Sequence, residues 1–379
     1  MRVRLLSAVL GLSLLASASH GPALANSTKS ADSDIVTRVK PKLKPRQRHR
    51  NITVQTTSIS SLRYGKPDQT RFGKAVFVGG LVLSSPDRWW GGFSGVEISP
   101  DGKHLYAISD RSYWLQADLA QSPSGAPLAL TNARMGELPS SQQIPLKGSA
   151  QDDTEALRID WRRGALAVGY EKQGGALLYK APETNGSLDL SKLQLLEILE
   201  LDKQSPPLRA NKSIEALARI PASLPYSGRY LAIAERAASN KYQDDRPAFL
   251  LGISHRSIGK TPIGHIKAQD GLDITDAVFA TDGTLYILER RFSIAGGLDI
   301  RVRRIRKSEI RQAFTKDANG PNLLGGDEVF KLGFAHNIDN MEAIALHIAE
   351  NGETYLTLLS DDNYNFLQRT VLLRFRLDQ

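Results

Sequence analysis

Apolar positions fall in short paired runs along most of the chain, and a glycine-containing turn separates the two runs of each pair. Residues 93–99 lead through Pro100-Asp101-Gly102 into 104–109, Asp282-Gly283 precedes Leu285-Tyr286-Ile287, and Asn351-Gly352 precedes Tyr355-Leu356-Thr357. Arg163-Gly164 and Ser227-Gly228 stand in the same place before 165–168 and 230–233. Asp-Gly between apolar runs is a hairpin signal, because glycine accepts the positive φ that a tight turn requires. The first run of each pair opens on an acid followed by a small residue: Glu155-Ala156, Glu215-Ala216, Asp276-Ala277 and Glu342-Ala343, with Ser94-Gly95 as an altered fifth copy. These starts are separated by 61, 60, 61 and 66 residues, and a fixed period of this size marks a repeat architecture.

Each unit reads as four short strands, the blade of a β-propeller. In the first unit these are 93–99, 104–109, 113–119 and a last strand near 143–146, with the surplus length in loops such as 120–133 and, later, 238–246. The pattern predicts an all-β propeller of five four-stranded blades, or six if one more is hidden in the long loops or in residues 51–85. The last copy has room for only three strands, ending at 370–377, and the run 75–83 supplies the fourth. Strands from both termini then close the ring and remove an open edge.

Charge sets the N-terminal part apart. Two arginines in residues 1–4, an apolar run over 5–16 and Ala23-Leu24-Ala25 form the pattern of a secretory signal peptide, residues 1–25. No other stretch approaches the roughly 20 apolar residues of a transmembrane helix, so the expected location is periplasmic or secreted. The chain has no cysteine, which excludes a disulfide framework and a lipid-modified cysteine anchor. Of the net charge of +9, residues 1–50 hold +8, ten Lys/Arg against Asp32 and Asp34, so residues 51–379 carry +1. The domain is near neutral and no nucleic-acid partner is expected. Residues 26–55, rich in Lys and Arg with Pro41 and Pro45 between them, read as a disordered basic linker, either a solvated spacer or a tether to an anionic surface. Residues 56–379 form the propeller domain.

In a propeller the first strand of each blade lines the central channel, which places Glu155, Glu215, Asp276 and Glu342 at one mouth. The second strand returns to that mouth and also ends polar, at Asp110-Arg111, Glu171-Lys172, Glu235-Arg236, Glu289-Arg290 and Asp361-Asp362. Four carboxylates about 8 Å apart at an effective dielectric near 20 repel by roughly 2 kcal/mol per pair. Either a hard cation such as Ca²⁺ sits among Glu155, Glu215, Asp276 and Glu342, or Arg111, Lys172, Arg236 and Arg290 neutralise them as interblade salt bridges. With a cation present, those same four basic residues become the substrate-binding set. Asp152, Asp153, Asp273 and Asp339 add carboxylates to that face. Trp89-Trp90 forms an aromatic wall over the mouth or anchors a loop. Gly259-Lys260-Thr261 is a turn, since Gly252 lies two positions too far upstream for a phosphate loop, and nothing points to an organic cofactor.

The segment Phe93-Ser94-Gly95-Val96-Glu97-Ile98-Ser99-Pro100-Asp101-Gly102, the Glu-Ala strand starts and Ser360-Asp361-Asp362-Asn363-Tyr364-Asn365 resemble the bacterial phytase-like family, often labelled as having esterase-like activity of phytase. The resemblance spans about residues 70–379. It implies an exported propeller and, through distant similarity to calcium-dependent propeller phytases, hydrolysis of a small-molecule phosphate or carboxylate ester. Those phytases have six blades and dense acidic signatures that this chain does not match residue by residue, so phytase activity proper is not implied. Two routes to hydrolysis differ in their residues. One is assisted by Ca²⁺ in the acidic ring. The other uses Ser94 as nucleophile with His336 as base, although Val96 breaks a Gly-x-Ser-x-Gly elbow and both residues also read as structural. The alternative is a non-catalytic propeller that binds a ligand or an envelope partner, with every acid paired to a neighbouring Arg or Lys.

Overall fold

Five sheets, antiparallel except where Leu323–Leu324 adds in parallel to Gly264–Lys267, surround one axis, and their order along the chain is their order around the ring. The computed structural model describes residues 48–139, 153–171, 174–201, 213–236, 245–252, 263–293, 296–315 and 323–378. The signal peptide, linker residues 26–47, the expected strand at 143–146 and Lys172 lie outside them. Blade 1 runs outward from Phe93–Ile98 through His104–Ser109 and Tyr113–Gln121 to Pro127–Glu137. Blade 2 comprises Thr154–Asp160, Ala165–Tyr170, Gly175–Lys180 and Gln194–Glu200, and blade 3 comprises Ile214–Arg219, Tyr230–Ala234, Asp245–Leu251 and Gly264–Lys267. Blade 4 comprises Asp273–Phe279, Leu285–Ser293, Gly297–Ile305 and Asp327–Leu332. Blade 5 takes Met341–Ile348, Thr354–Ser360 and Thr370–Leu377 from the C-terminal end and Ala75–Ser84 from the N-terminal end. That last pairing, Thr370 opposite Leu83 through Leu377 opposite Ala75, closes the ring as the sequence predicts. The hairpin turns also match: Gly102 has φ 74° and Gly283 has φ 99°.

Each gap between blades is filled by its own apolar cluster, so burial between neighbouring faces holds the ring together. Trp114 and Leu157 pack between blades 1 and 2, Phe249 and Leu178 between 2 and 3, and Ile233 and Ile287 between 3 and 4. Val302 meets Phe375 between 4 and 5, and Leu359 meets Leu115 between 5 and 1. The helix Lys307–Thr315 inserts Ile310 and Phe314 into the gap between blades 3 and 4. Among the described residues, no helix is long and apolar enough to cross a membrane.

Three expectations change. The stretch 120–133 is not a loop, because Pro127–Glu137 is the outer strand of blade 1 and buries Leu130, Ala133 and Met135. The linker does not extend to residue 55: His49–Asn51 pairs with that strand, and Gln55–Ile59 pairs with Ala75–Ser84. An edge strand is held by backbone hydrogen bonds and tolerates polar side chains, so composition alone hides it; Arg50 additionally lies 3.7 Å from the Trp89 ring centroid and pairs with Asp87 at 2.8 Å. Trp89 and Trp90 are buried loop anchors, stacked on Tyr113 and edge-on to Phe93, and make no wall over the mouth.

Candidate functional site

All five innermost strands carry a β-bulge near their start, a device that re-aims one side chain and recurs beside active sites. In blade 1, Phe93 pairs with Ser109 and Gly95 with Ile108, leaving Ser94 as the extra residue. The same pattern leaves Glu155, Glu215 and Glu342 extra in blades 2, 3 and 5. In blade 4, Ile274 pairs with Glu289 and Asp276 with Leu288, so the extra residue is Thr275. The bulged ring is therefore Ser94, Glu155, Glu215, Thr275 and Glu342. The second strands bring Asp110, Glu171, Glu235, Arg290 and Asp361 to the same level, again with blade 4 offset so that Arg290 takes the place an acid holds elsewhere.

These two rings, the buried Glu171 excepted, line a cavity of about 240 Å³, whose lining also includes Asp153, Ile274 and Asn363. Carboxylate oxygens of Asp153, Glu155 and Glu171 lie within 4.8 Å of one another, as do those of Glu171, Glu215 and Glu235. Two adjoining triplets thus share Glu171, on blades 2 and 3. Opposite them, Arg290 Nη2 pairs with Glu342 Oε1 at 2.9 Å, and its Nε is buried with no hydrogen-bond partner among the described residues.

Burial, then repulsion from Asp153 and Glu342, pushes the Glu155 carboxyl well up; burial, then Glu155 and Glu235, does the same to Glu215. Burial raises Glu342 to about 7 against the opposing pull of Arg290, Asp361 to about 8 and Asp110 to about 6.

Asp276 is not part of the cavity lining. Displaced by the blade 4 bulge, it is fully buried beneath it, accepting from Arg158 Nη2 (2.5 Å), from its neighbour Ala277 N (2.8 Å) and from Ile344 N (2.9 Å). Arg158 reaches there from blade 2, crossing the axis, and lies 3.6 Å from Glu97 of blade 1. Of the three expected basic residues that are described, Arg290 alone lines the cavity. Arg111 stacks over Tyr364 at 3.4 Å, Arg236 makes a forked pair with Asp273, and Lys172 is outside the described residues. Ser94 lines the cavity with its Oγ directed to Gly92 O at 3.4 Å. His336 does not join it: its ring packs edge-on to Phe72 and its Nδ1 meets the Gly333 backbone, so the Ser94–His336 pairing is not formed. Thr275 was legible in one respect, since it keeps the spacing of 60 from Glu215 that Glu215 keeps from Glu155. Asn363 belongs to the Ser360–Asn365 motif, which gave it no role of its own; it is placed by a loop in which Asn363 and Tyr364 both have positive φ (48° and 51°) and Asp362 accepts from Tyr364 N and Gly92 N.

No curated protein matches the chain. Solved structures with a similar course include the PQQ-bound form of aldose sugar dehydrogenase from Streptomyces coelicolor, 10% identical with TM-score 0.37, covering 85% of this chain and 98% of that one. A GH43 glycoside hydrolase engineered to display both endo-xylanase and exo-arabinofuranosidase activity is 11% identical with TM-score 0.38, covering 84% of this chain and 51% of that one, so the chain spans about half its length. The β-propeller domain of Cps50 (Swd1) from Myceliophteria thermophila is 10% identical with TM-score 0.33, covering 84% and 99%. At these values the likenesses say nothing about activity. A family model does match residues 88–364, most of the propeller, and the chain belongs to the Phytase-like family, described as "Esterase-like activity of phytase".

Proposed function

We propose that the protein is an exported hydrolase of an ester or phosphoester that works with a divalent cation at the acidic mouth. The observation that carries this reading is the pair of carboxylate triplets on blades 2 and 3. Their chemistry fits Ca²⁺: all donors are hard oxygens, and an ion with ligands at about 2.4 Å has oxygens up to about 4.8 Å apart across it, a limit within which the oxygens of each triplet fall. Asp153, Glu155, Glu171, Glu215 and Glu235 would hold it. When bound, the cation would supply polarisation of a phosphoryl or carbonyl oxygen and an acidified water.

The remaining roles fall to the opposite side. Arg290, which lines the cavity, would take the substrate's anionic oxygens, and a fixed guanidinium there also stabilises charge that develops on them. Asp361 Oδ1 accepts from Asn363 N at 2.6 Å, which leaves Oδ2 to carry the proton that burial retains near neutral pH. That proton is available to the leaving oxygen. Export follows from residues 1–25, and no step requires His336.

Calcium titration of the full chain by calorimetry, beside Glu215→Gln, tests the reading, together with turnover of p-nitrophenyl phosphate and p-nitrophenyl acetate. Saturable binding lost in the variant, with calcium-dependent release of nitrophenol, supports it. Calcium binding without turnover of either ester class would favour the ligand-binding propeller. No binding at all would reduce the acids to interblade charge.

A further inference from the structure

The most exposed large apolar side chains lie in segments at the mouth end of blades 4 and 5. Phe366 (94% exposed), Phe334 (82%), Leu367 (76%) and Phe292 (69%) exceed every other such residue among those described. Phe292 sits on the blade 4 hairpin that continues outward past Arg290. Phe334 lies in the connection from Asp327–Leu332 to Met341–Ile348, and Phe366 and Leu367 lie in the connection that starts at Asp361. All three segments leave from the mouth end of blades 4 and 5. They are also fastened together: a Cβ built on Gly297 would stand 3.5 Å from that of Phe334, and Arg369 bonds Asp339 Oδ2 (3.3 Å), Asn337 Oδ1 (3.0 Å) and Ile338 O (3.0 Å).

Single exposed apolar residues need no explanation, but a group on one rim marks a binding surface. What it binds follows from the cavity beside it. At about 240 Å³ the cavity is smaller than the roughly 300–1,000 Å³ of pockets that enclose a whole drug-sized ligand. Its non-acidic residues on this side are Ile274, Thr275 and Arg290 from blade 4 and Asn363 from the blade 5 connection, and Arg290 is the cation among them. A ligand whose anionic group meets Arg290 must leave its remainder outside, and the strand that carries Arg290 leads two residues on to Phe292 of the apolar rim.

We infer that the substrate is an amphiphile, with one small phosphate or carboxylate ester head seated at Arg290 and a single alkyl or acyl chain lying across Phe292, Phe334, Phe366 and Leu367. The head-group half of this assignment rests on the hydrolase reading; the rim half does not. The rim serves the chain of an individual amphiphile in solution, and attachment to a bilayer is the competing outcome.

Calorimetry on the calcium-loaded full chain separates these halves, with inorganic phosphate, butyl phosphate and dodecyl phosphate below its micelle concentration as probes. Wild type is compared with Phe334→Ala and with the double variant Phe366→Ala/Leu367→Ala, whose exposed positions leave the fold intact, checked by unchanged melting. Burial of chain methylenes should make dodecyl phosphate bind at least about tenfold more tightly than butyl phosphate, and the double variant should lose most of that gain while binding inorganic phosphate as before. Equal affinity for both esters, or variants that keep the gain, overturns the rim assignment and leaves the hydrolase reading standing. Rim-dependent binding of dodecyl phosphate without any binding of inorganic phosphate and without hydrolysis overturns the head-group half. Rim-dependent binding to phosphatidic acid vesicles, with none to monomeric dodecyl phosphate, also overturns the proposal and makes the rim a membrane anchor.

Discussion

Asp110, Glu155, Glu215, Glu342 and Asp361 keep their protons to higher pH than exposed carboxyls do, and burial is the first cause in each case. A raised carboxyl pKa means that the folded state binds more protons than the unfolded chain between the two values. Stability therefore falls as pH rises through that window. With Asp110 at about 6, Glu342 at about 7 and Asp361 at about 8, the fall should run from the ordinary carboxylate range to about pH 8. In chelator, the unfolding free energy from urea titrations should drop by at least ~2 kcal/mol between pH 5 and pH 8. Millimolar calcium should restore it, because a ligand of the folded state alone stabilises by mass action. Glu215→Gln should flatten the chelator profile and remove the response to calcium. A profile that is flat or rises in wild type would show that the acids are already compensated within the fold.

At the scale of the strand, the decisive feature is the bulge, and it divides what the sequence disclosed from what it concealed. The period, the hairpin turns and the closing strand at 75–84 were legible, because each depends on local turn chemistry or on alternation of apolar residues. The outer strand Pro127–Glu137 was not, since its exposed positions carry Leu128 and Asn132 and blur that alternation. The identity of the mouth residue in blade 4 depends on which of two adjacent residues is left unpaired, a property of register across two strands. Asp276 satisfies the Glu-Ala pattern in letters, yet the bulge falls one residue earlier and sends its carboxylate to Arg158. Blade 4 consequently presents Thr275 and Arg290 where blades 2 and 3 present pairs of glutamates. On the proposed reading this asymmetry would give the cavity an anion-binding side, and Thr275→Glu should erase it. The variant should fold normally and still bind calcium, while its affinity for inorganic phosphate drops about tenfold or more through repulsion and competition for Arg290. Unchanged phosphate affinity in calorimetry would mean that the anion sits elsewhere.

The ring as a whole is braced from within by one arginine. Arg158 is 2% exposed and starts on the inner strand of blade 2, three residues past Glu155. It donates to Asp276 and to Ala277 O in blade 4 and stands beside Glu97 in blade 1, and Asp276 in turn accepts from Ile344 N in blade 5. Four of the five blades thus meet at one ion pair, and the pair fills the axis beneath the cavity. Neighbouring blades already share apolar clusters, but blades 2 and 4 are not neighbours, so no cluster does the work of this contact. Removing one partner of a buried pair strands the other without its charge or hydrogen bonds, which costs about 3–5 kcal/mol. Arg158→Met and Asp276→Leu should each destabilise by about that amount in urea unfolding, and the double variant should lose far less than the sum of the two. Because Arg158 also opposes the upward push of burial on Glu97, which stands at about 8, Arg158→Met should leave Glu97 protonated through the neutral range. Asp276, which burial raises to about 6 against the pull of Arg158, rises further in the same variant, so the variant's deficit should grow between pH 6 and pH 7, where the wild-type carboxyl takes up its charge. Additive single costs would instead mean that Arg158 and Asp276 act through separate backbone contacts, and that the blades are held in register by their apolar interfaces alone.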